Sequence, residues 1–317
     1  MADRKQGVVS IIMPVYNEGE HIVTSVGTVE QLLKQENISY EFVLVDDGSK
    51  DDSWNKLSAM ATENTRITAV RLSRNFGKEA AVCAGLDAAT GAAVIVMDAD
   101  LQDPPELIPL MVKAWREEGC DVVEGVKSSR GKESLLYKLC AKTFYGILYR
   151  LAGIDLRNAS DYKLLDRKVV AAIQAMPEKI TFFRGMSAWV GFERKQIPFE
   201  VQERVSGTSR WSLQRLAGLA ISAVTSYTSA PLHLITVLGA GMLFVAIVLG
   251  IQTLIRYGMG NAMEGFTTVI LLLLFIGSLL MISLGILGLY MMKLYHEVKG
   301  RPRYLISKKV KDGTEEC

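Results

Sequence analysis

AVIVMDADLQDPPE, residues Ala93 to Glu106, is the stretch on which the fold turns. Ala93 to Met97 is a short continuous apolar run, the pattern of a strand buried on both faces. Two acidic residues, Asp98 and Asp100, stand where that strand gives out. Pro104-Pro105-Glu106 then opens a helix, because proline suits the first helical turn. The same succession recurs on either side. Upstream, strands are expected over Val8–Met13, Glu41–Val45 and Ile67–Leu72. Helices over Glu18–Lys34, Asp52–Thr62 and Lys78–Ala89 separate them, the first with Ile22, Val26, Val29 and Leu33 at helical spacing. Downstream, Asp121–Val126 reads as a fifth strand. This rhythm predicts an open α/β sheet with helices on both faces. Ligands of such sheets bind beyond the carboxyl ends of the strands, where the polar clusters of this sequence fall.

Composition narrows the function. The chain has 317 residues, for which about two domains is the prior. With 49% hydrophobic and 22% charged residues it is not disordered. A net charge of +2 lacks the basic excess of a nucleic-acid binder, so no nucleic-acid partner is expected. Cys83, Cys120, Cys140 and Cys317 form no CxxC pair, which argues against zinc or a disulfide framework and fits a reduced compartment. With His21, His233 and His296 alone, a His-based triad is not expected.

Charge is unevenly distributed. Leu216 to Ile255 carries no Asp, Glu, Lys or Arg, and neither does Gly265 to Met292. Each run exceeds the roughly 20 apolar residues that cross a bilayer. An ordinary soluble enzyme is thereby excluded, and two spans are too few for a transport pathway. Met1 to Gly7 is polar and the apolar stretch after it is broken at Pro14, so no signal peptide is expected. The expected organisation is a cytoplasmic domain over 1–211, a juxtamembrane amphipathic helix over 212–230, two transmembrane helices within 231–292 (about 231–255 and 266–292) and a basic tail over 293–317. Leu135–Leu151 also mixes apolar and basic residues in a way that suits a membrane surface or packing on the sheet. Lys and Arg precede the first span and follow the second, whereas Arg256 stands alone between them. The large domain and the tail are therefore expected on the cytoplasmic side of the inner membrane. Gly239, Gly241, Gly277, Gly285 and Gly288 would allow close helix packing in a homo-oligomer.

Chemistry concentrates at the strand ends. Side chains two apart on a strand face the same way, so Asp98 and Asp100 are expected to converge. With Gln102 they form a hard oxygen site suited to Mg2+ or Mn2+, and the competing reading is a helix-capping aspartate. Asp46-Asp47-Gly48-Ser49 either reads a base edge or ribose hydroxyls or simply makes a turn. Tyr16 offers a ring for stacking on a base, and Asn17 a cap for the next helix. After the third strand, Lys78 is placed to meet a phosphate or hydroxyl, or else is a solvated lysine at a helix start.

PVYNE (Pro14–Glu18), VDDGS (Val45–Ser49), RNFGKE (Arg74–Glu79), AGLD (Ala84–Asp87), DADLQDPPE (Asp98–Glu106), SDYKLLDR (Ser160–Arg167), ERVSGTSRW (Glu203–Trp211), the paired spans and RPRY (Arg301–Tyr304) occur in this order. Together they resemble family 2 glycosyltransferases, more narrowly the branch that loads one sugar onto a polyprenyl phosphate, and within it the bactoprenol glucosyltransferases. The resemblance covers nearly the whole chain. It implies a glycosyltransferase A fold, an open mixed, mostly parallel sheet, followed by a C-terminal two-helix hairpin. It implies a nucleotide-diphosphate sugar donor, most simply UDP-glucose, and a polyprenyl (undecaprenyl) phosphate acceptor; UDP-N-acetylglucosamine and GDP-mannose are the alternative donors. Pro14, Tyr16, Glu18, Asp46 and Asp98 would hold the nucleoside, joined by Asn17, Asp47 and Lys78. Asp100 and Gln102, with Asp98, would hold the metal. Asp161 would be the catalytic aspartate near the acceptor, with Asp100 as the second catalytic residue. Arg204, Ser209 and Arg210 would close over the diphosphate and acceptor phosphate, with Lys127 and Arg130 as further acceptor-phosphate ligands.

Alternatives stay open at this level. Asp161 also suits a structural pair with Arg157 or Arg167, and Arg204 and Arg210 suit lipid headgroups. Gly288-Leu289-Tyr290 lacks the Glu that similar sequences place before this tyrosine, so no role falls to a carboxylate there. A processive synthase on the same fold is disfavoured by the two spans. A non-catalytic nucleotide-sugar sensor is disfavoured by the intact aspartates. A dinucleotide oxidoreductase is disfavoured because no GxGxxG follows a strand.

Overall fold

The computed structural model of the chain describes residues 4, 6–127, 160–178, 182–199, 230–259 and 265–316. Two compact units emerge. One comprises Met1–Tyr149, Gly153–Arg210 and Arg301–Cys317, the other Arg150–Ala152 and Trp211–Gly300.

The first unit is built on a nine-stranded sheet of order β7-β5-β6-β4-β1-β2-β3-β8-β9. Its centre is parallel: β1 (Val9–Val15) lies between β2 (Tyr40–Asp46) and β4 (Ala93–Val96), and β2 continues to β3 (Ile67–Leu72). On one flank β6 (Lys163–Asp166) runs antiparallel to both β4 and β5 (Val122–Lys127), and β7 (Arg194–Phe199) runs parallel to β5. Alternation along β1 explains the two cores. Ile11 and Met13 point to one face, packed with α1 (Ile22–Gln35), α2 (Ser53–Glu63) and α4 (Leu107–Glu117). Ile12 points to the other, packed with α3 (Lys78–Ala88), α5 (Arg167–Gln174) and α6 (Phe183–Trp189). Gly85 lets α3 lie against β1, since a Cβ there would stand 2.4 Å from Ile12 Cγ2.

Three expectations change. Helix α1 starts at Ile22 rather than Glu18, and its cap residue is His21, not Asn17. Asn17 has φ 55°, a left-handed conformation unlike the extended backbone of a capping residue. Strand β4 ends at Val96, so Asp98 and Asp100 lie in a turn and strand alternation does not aim them. Finally, residues 293–317 are more than a basic tail. Within them β8 (Ile306–Lys311) pairs antiparallel with β3 and then, through a turn at Asp312 and Gly313, with β9 (Thr314–Glu316). Its lysines hid the strand, but Val310 is only 2% exposed and joins the core. The RPRY stretch docks beside it. Arg303 donates to the carbonyls of Met176 and Glu178, and the Tyr304 hydroxyl donates to Asp87.

The second unit contains α7 (Ala230–Gly258) and α8 (Phe266–Val298), which touch each other. Ile235–Gln252 and Phe275–Tyr295 are long and apolar enough to cross a membrane, and neither window is buried in the unit. The predicted surface segments, Leu135–Leu151 and 212–230, fall, but for Ala230, outside the described residues.

Candidate active site

The loops after β1, β2 and β3 are stitched into one wall. Asn17 donates its backbone N–H to Ser49 Oγ (2.9 Å) and accepts from Lys50 N–H (2.9 Å). Glu18 and Gly19 donate to Ser53 Oγ and to Asp51. Asp47 accepts from the backbone N–H groups of Phe76 (2.7 Å) and Gly77 (2.9 Å), fixing the turn that starts α3. Burial pushes the Asp47 carboxyl up from its ordinary range, against these two bonds. Gly48, at φ 68°, sits so close to the Arg74–Asn75 backbone that a Cβ would come within 2.5 Å. Asp46 lies beneath the wall, wholly buried, where it accepts from Ser49 N–H and pairs with Arg71. The Asp46-Asp47 pair therefore organises loops. Asp47 still lines the cleft, whereas Asp46 does not.

Pro14, Tyr16, Glu18, Asp47, Lys78, Asp98 and Asp100 line one cleft at the carboxyl ends of the parallel strands. Tyr16 is 43% exposed there. Burial, and next the Asp100 carboxylate, push Glu18 up from the usual carboxylate value. The turn holding Asp100 contains Leu101 at φ 55°, a conformation that costs a leucine about 1 kcal/mol or more. Packing of Leu101 against the core offsets that cost and folds Gln102 back, so that its backbone N–H and side-chain amide both donate to Asp100.

A chain of alternating charges starts at the cleft-lining Asp98 and Lys78. Lys78 Nζ stands 2.6 Å from Asp98 Oδ1 and 3.2 Å from Asp161 Oδ2. Asp161 is in turn clasped by Arg184, whose Nε and Nη2 each donate to one carboxylate oxygen at 2.8 Å. Burial opposes the charge on Lys78, but Asp98 and Asp161 outweigh it and push its pKa up to about 12. Burial likewise opposes the Asp161 charge, and Arg184, then Lys78, hold that carboxyl well below the usual range. Both groups are therefore ionised throughout the neutral range. The next residue along, Glu79, accepts from Phe183 N–H (2.7 Å) and pins the start of α6; burial raises its pKa.

Among the described residues, no three His, Cys, Asp or Glu side chains cluster as a metal site. What the turn offers is Asp100 and Gln102, already side by side, with Asp98 held by Lys78. A carboxylate and an amide oxygen, presented once the Gln102 amide rotates, are the hard donors that Mg2+ or Mn2+ takes while keeping positions for substrate oxygens and water. The donor set fits such an ion at Asp100 and Gln102.

The alternative partners of Asp161 resolve in part. Arg167 donates instead to the carbonyls of Ala89 and Gly91, while Arg157 lies outside the described residues. So do Arg130, Arg204, Ser209 and Arg210; the backbone of Lys127 ends β5, paired with Phe199. Arg184 escaped the sequence reading. Its only signal is a lone charge in FRGMSAW, on a short helix whose Phe183, Gly185, Met186 and Ser187 are all buried.

Residues 10–173 match the family described as Glycosyl transferase family 2. An uncharacterized glycosyltransferase of Synechocystis sp. is 38% identical over 300 residues, 94% of either chain. A prophage bactoprenol glucosyl transferase homolog of Escherichia coli (strain K12) is 35% identical over 95% of this chain and 98% of its own. Among solved structures, mannosyl-3-phosphoglycerate synthase from Rubrobacter xylanophilus superposes with a TM-score of 0.50 over 71% of this chain and 76% of that one. At 20% identity that likeness is one of fold.

Proposed function

The chain belongs to glycosyl transferase family 2, with a glycosyltransferase A fold, and from that premise we propose that it transfers one glucose from UDP-glucose to undecaprenyl phosphate at the cytoplasmic face of a membrane. The observation that carries this reading is the line Asp98–Lys78–Asp161–Arg184, which joins the donor turn to a second, acceptor-side carboxylate through one lysine.

Each residue then has a task. Tyr16 presents a ring face to the base, with Pro14 and Glu18 beside the ribose. Asp100 and Gln102 hold a divalent ion, Mg2+ or Mn2+, which when bound supplies charge neutralisation to the departing diphosphate. Lys78 directs its permanent positive charge at the space between donor and acceptor. The acceptor is a phosphate, already anionic at neutral pH, so no strong base is needed. Asp161 suits this, being locked in its ionised form by Arg184 and Lys78, and it orients rather than deprotonates. An acceptor phosphate oxygen forms the bond to the anomeric carbon as the bond to the UDP oxygen breaks on the opposite side. Configuration inverts and UDP leaves. Arg204, Ser209 and Arg210, with Lys127 and Arg130, supply donors for the diphosphate and the acceptor phosphate.

The membrane assignment draws on the two long apolar helices and on their outward side chains, among them Leu243 (64% exposed) and Phe244 (68%). A core hairpin of a soluble protein would bury such residues. The Lys and Arg surplus after α8 supports a cytoplasmic active site, and the Escherichia coli relative's name supports the lipid acceptor.

The test uses purified protein in detergent, undecaprenyl phosphate, Mg2+ or Mn2+, and labelled UDP-glucose, UDP-N-acetylglucosamine and GDP-mannose, with Asp100→Ala alongside. Label passing to the lipid phase from UDP-glucose, and lost in the variant, is expected. Nucleotide binding without transfer from any donor would replace the enzyme by a sensor. Transfer from another donor would change the sugar.

A further inference from the structure

A buried ion pair lies behind the acceptor-side carboxylate, and the reaction as derived does not use it. Lys163 is 0% exposed and Glu124 1%, with Nζ and Oε1 2.9 Å apart. Burial lowers the Lys163 pKa, and Glu124, the largest opposing influence, favours its charge. Removing two such charges from water is costly, and an apolar pair of equal volume at such a site is often as stable or more so. What the pair does beyond filling space is visible in its neighbours.

Lys163 Nζ also donates to Ser187 Oγ at 2.7 Å, and that hydroxyl donates to the Arg184 carbonyl at 3.1 Å. The ammonium further sits over the Phe183 ring, 5.2 Å from its centre. Phe183, Arg184 and Ser187 are all on α6, a helix too short to hold its own orientation. Glu79 fixes its first turn through Phe183 N–H, and Lys163 grips its inner face. Arg184 leaves the same helix to clasp Asp161. Asp161 and Lys163 stand two residues apart in one chain segment, and Lys78 and Glu79 are adjacent in another. The two segments and the helix thus form a closed circuit.

We infer that Lys163, held by Glu124, is a positioning residue that orients α6 through Ser187 so that the Arg184 guanidinium meets Asp161 squarely. The inference rests on the role given above to Asp161 and Arg184. A misaligned guanidinium would leave donor binding intact and slow the transfer step, because the donor side of the cleft is built from other loops.

Three variants test this by transfer kinetics. Ser187→Ala removes only the link. It is expected to lower kcat about 10-fold, with the KM for UDP-glucose changed less than 2-fold; the melting temperature falls by about 3–6 °C, because the buried Lys163 ammonium loses a hydrogen-bond acceptor. The double variant Lys163→Met with Glu124→Met keeps the core apolar and filled, and is expected to show the same kcat loss at unchanged donor KM. Arg184→Ala with Ser187→Ala is expected to be no slower than Arg184→Ala alone, since the serine acts through the arginine. Ser187→Ala with wild-type kcat would overturn the inference, whether or not the double methionine variant folds. So would losses that multiply when Ser187→Ala is added to Arg184→Ala, or a fall in kcat accompanied by an equal loss of donor affinity. Full transfer by Asp161→Asn and Arg184→Ala would instead overturn the acceptor-site reading on which this one stands.

Discussion

Lys78→Met removes the cation from the middle of the charge line. The two carboxylate oxygens that flank its Nζ, at 2.6 and 3.2 Å, are left facing each other. At about 6 Å or less, two unit charges repel by about 3 kcal/mol at an effective dielectric of about 20. Arg184 still neutralises Asp161, and Lys78 and Asp98 are 41% and 39% exposed, so solvent screening cuts the figure to about 1 kcal/mol. A loss of that size corresponds to a melting temperature lower by about 2–4 °C for a domain of this size. On the proposed mechanism the kinetic effect is larger, because that mechanism puts the lysine's charge beside the departing diphosphate. Loss of one such pre-aligned group typically costs about 100-fold in kcat. The assay is label transfer to undecaprenyl phosphate at saturating donor, with a melting curve on the same preparation. Lys78→Arg keeps the charge and is expected to recover stability and part of the rate. A methionine variant that transfers and melts as wild type does would refute the reasoning, since the line of charges would then be incidental.

Gly85→Ala drives a methyl into Ile12 Cγ2 and is expected to destabilise the domain by about 1–3 kcal/mol; adding Ile12→Ala, which deletes the obstructing atom but opens a cavity, is expected to give a total loss smaller than the sum of the two single losses in chemical denaturation. Asp161 has a folded pKa depressed below its unfolded value of about 3.9. Its stabilising contribution is therefore complete above pH about 4 and lost as pH falls through the lower folded value. The stability gap between wild type and Asp161→Asn should accordingly be constant from pH 8 to pH 5 and shrink below about pH 4 in acid titrations followed by circular dichroism. Chelation of divalent ions is expected to abolish transfer and to leave the melting curve of the sugar-free protein within about 1 °C, because two donors on one turn bind an ion weakly without the diphosphate.

The periodic parts of this fold were legible because they rest on local rules. Ile67–Leu72 was read to the residue, and the central strands and helices within a few positions, since continuous apolar runs and 3.6-residue spacing report burial directly. The strand at Ile306–Lys311 was not legible. Only Val310 among its residues is buried, and its three lysines stay partly exposed although the strand is paired on both sides, so composition there speaks of solvent. At the site, the motif residues Tyr16, Glu18, Lys78, Asp98 and Asp100 line one cleft. What sequence could not distinguish was touching a ligand from supporting a loop. Asp46 and Asp47 stand side by side in the chain, yet one is sealed under the wall and the other lines the cleft. Arg184 was invisible for a related reason. Its importance comes from Asp161, 23 residues away, and no local spacing rule reaches that far.

Strand β8 also has a consequence for how the protein is made. Its partner β3 is synthesised early, but β8 emerges only after the long apolar helices have been translated. Throughout that interval the backbone donors and acceptors along the outer side of β3 have no neighbour, and an open strand edge is a template for another nascent chain. Chaperone dependence during translation should accordingly centre on that edge.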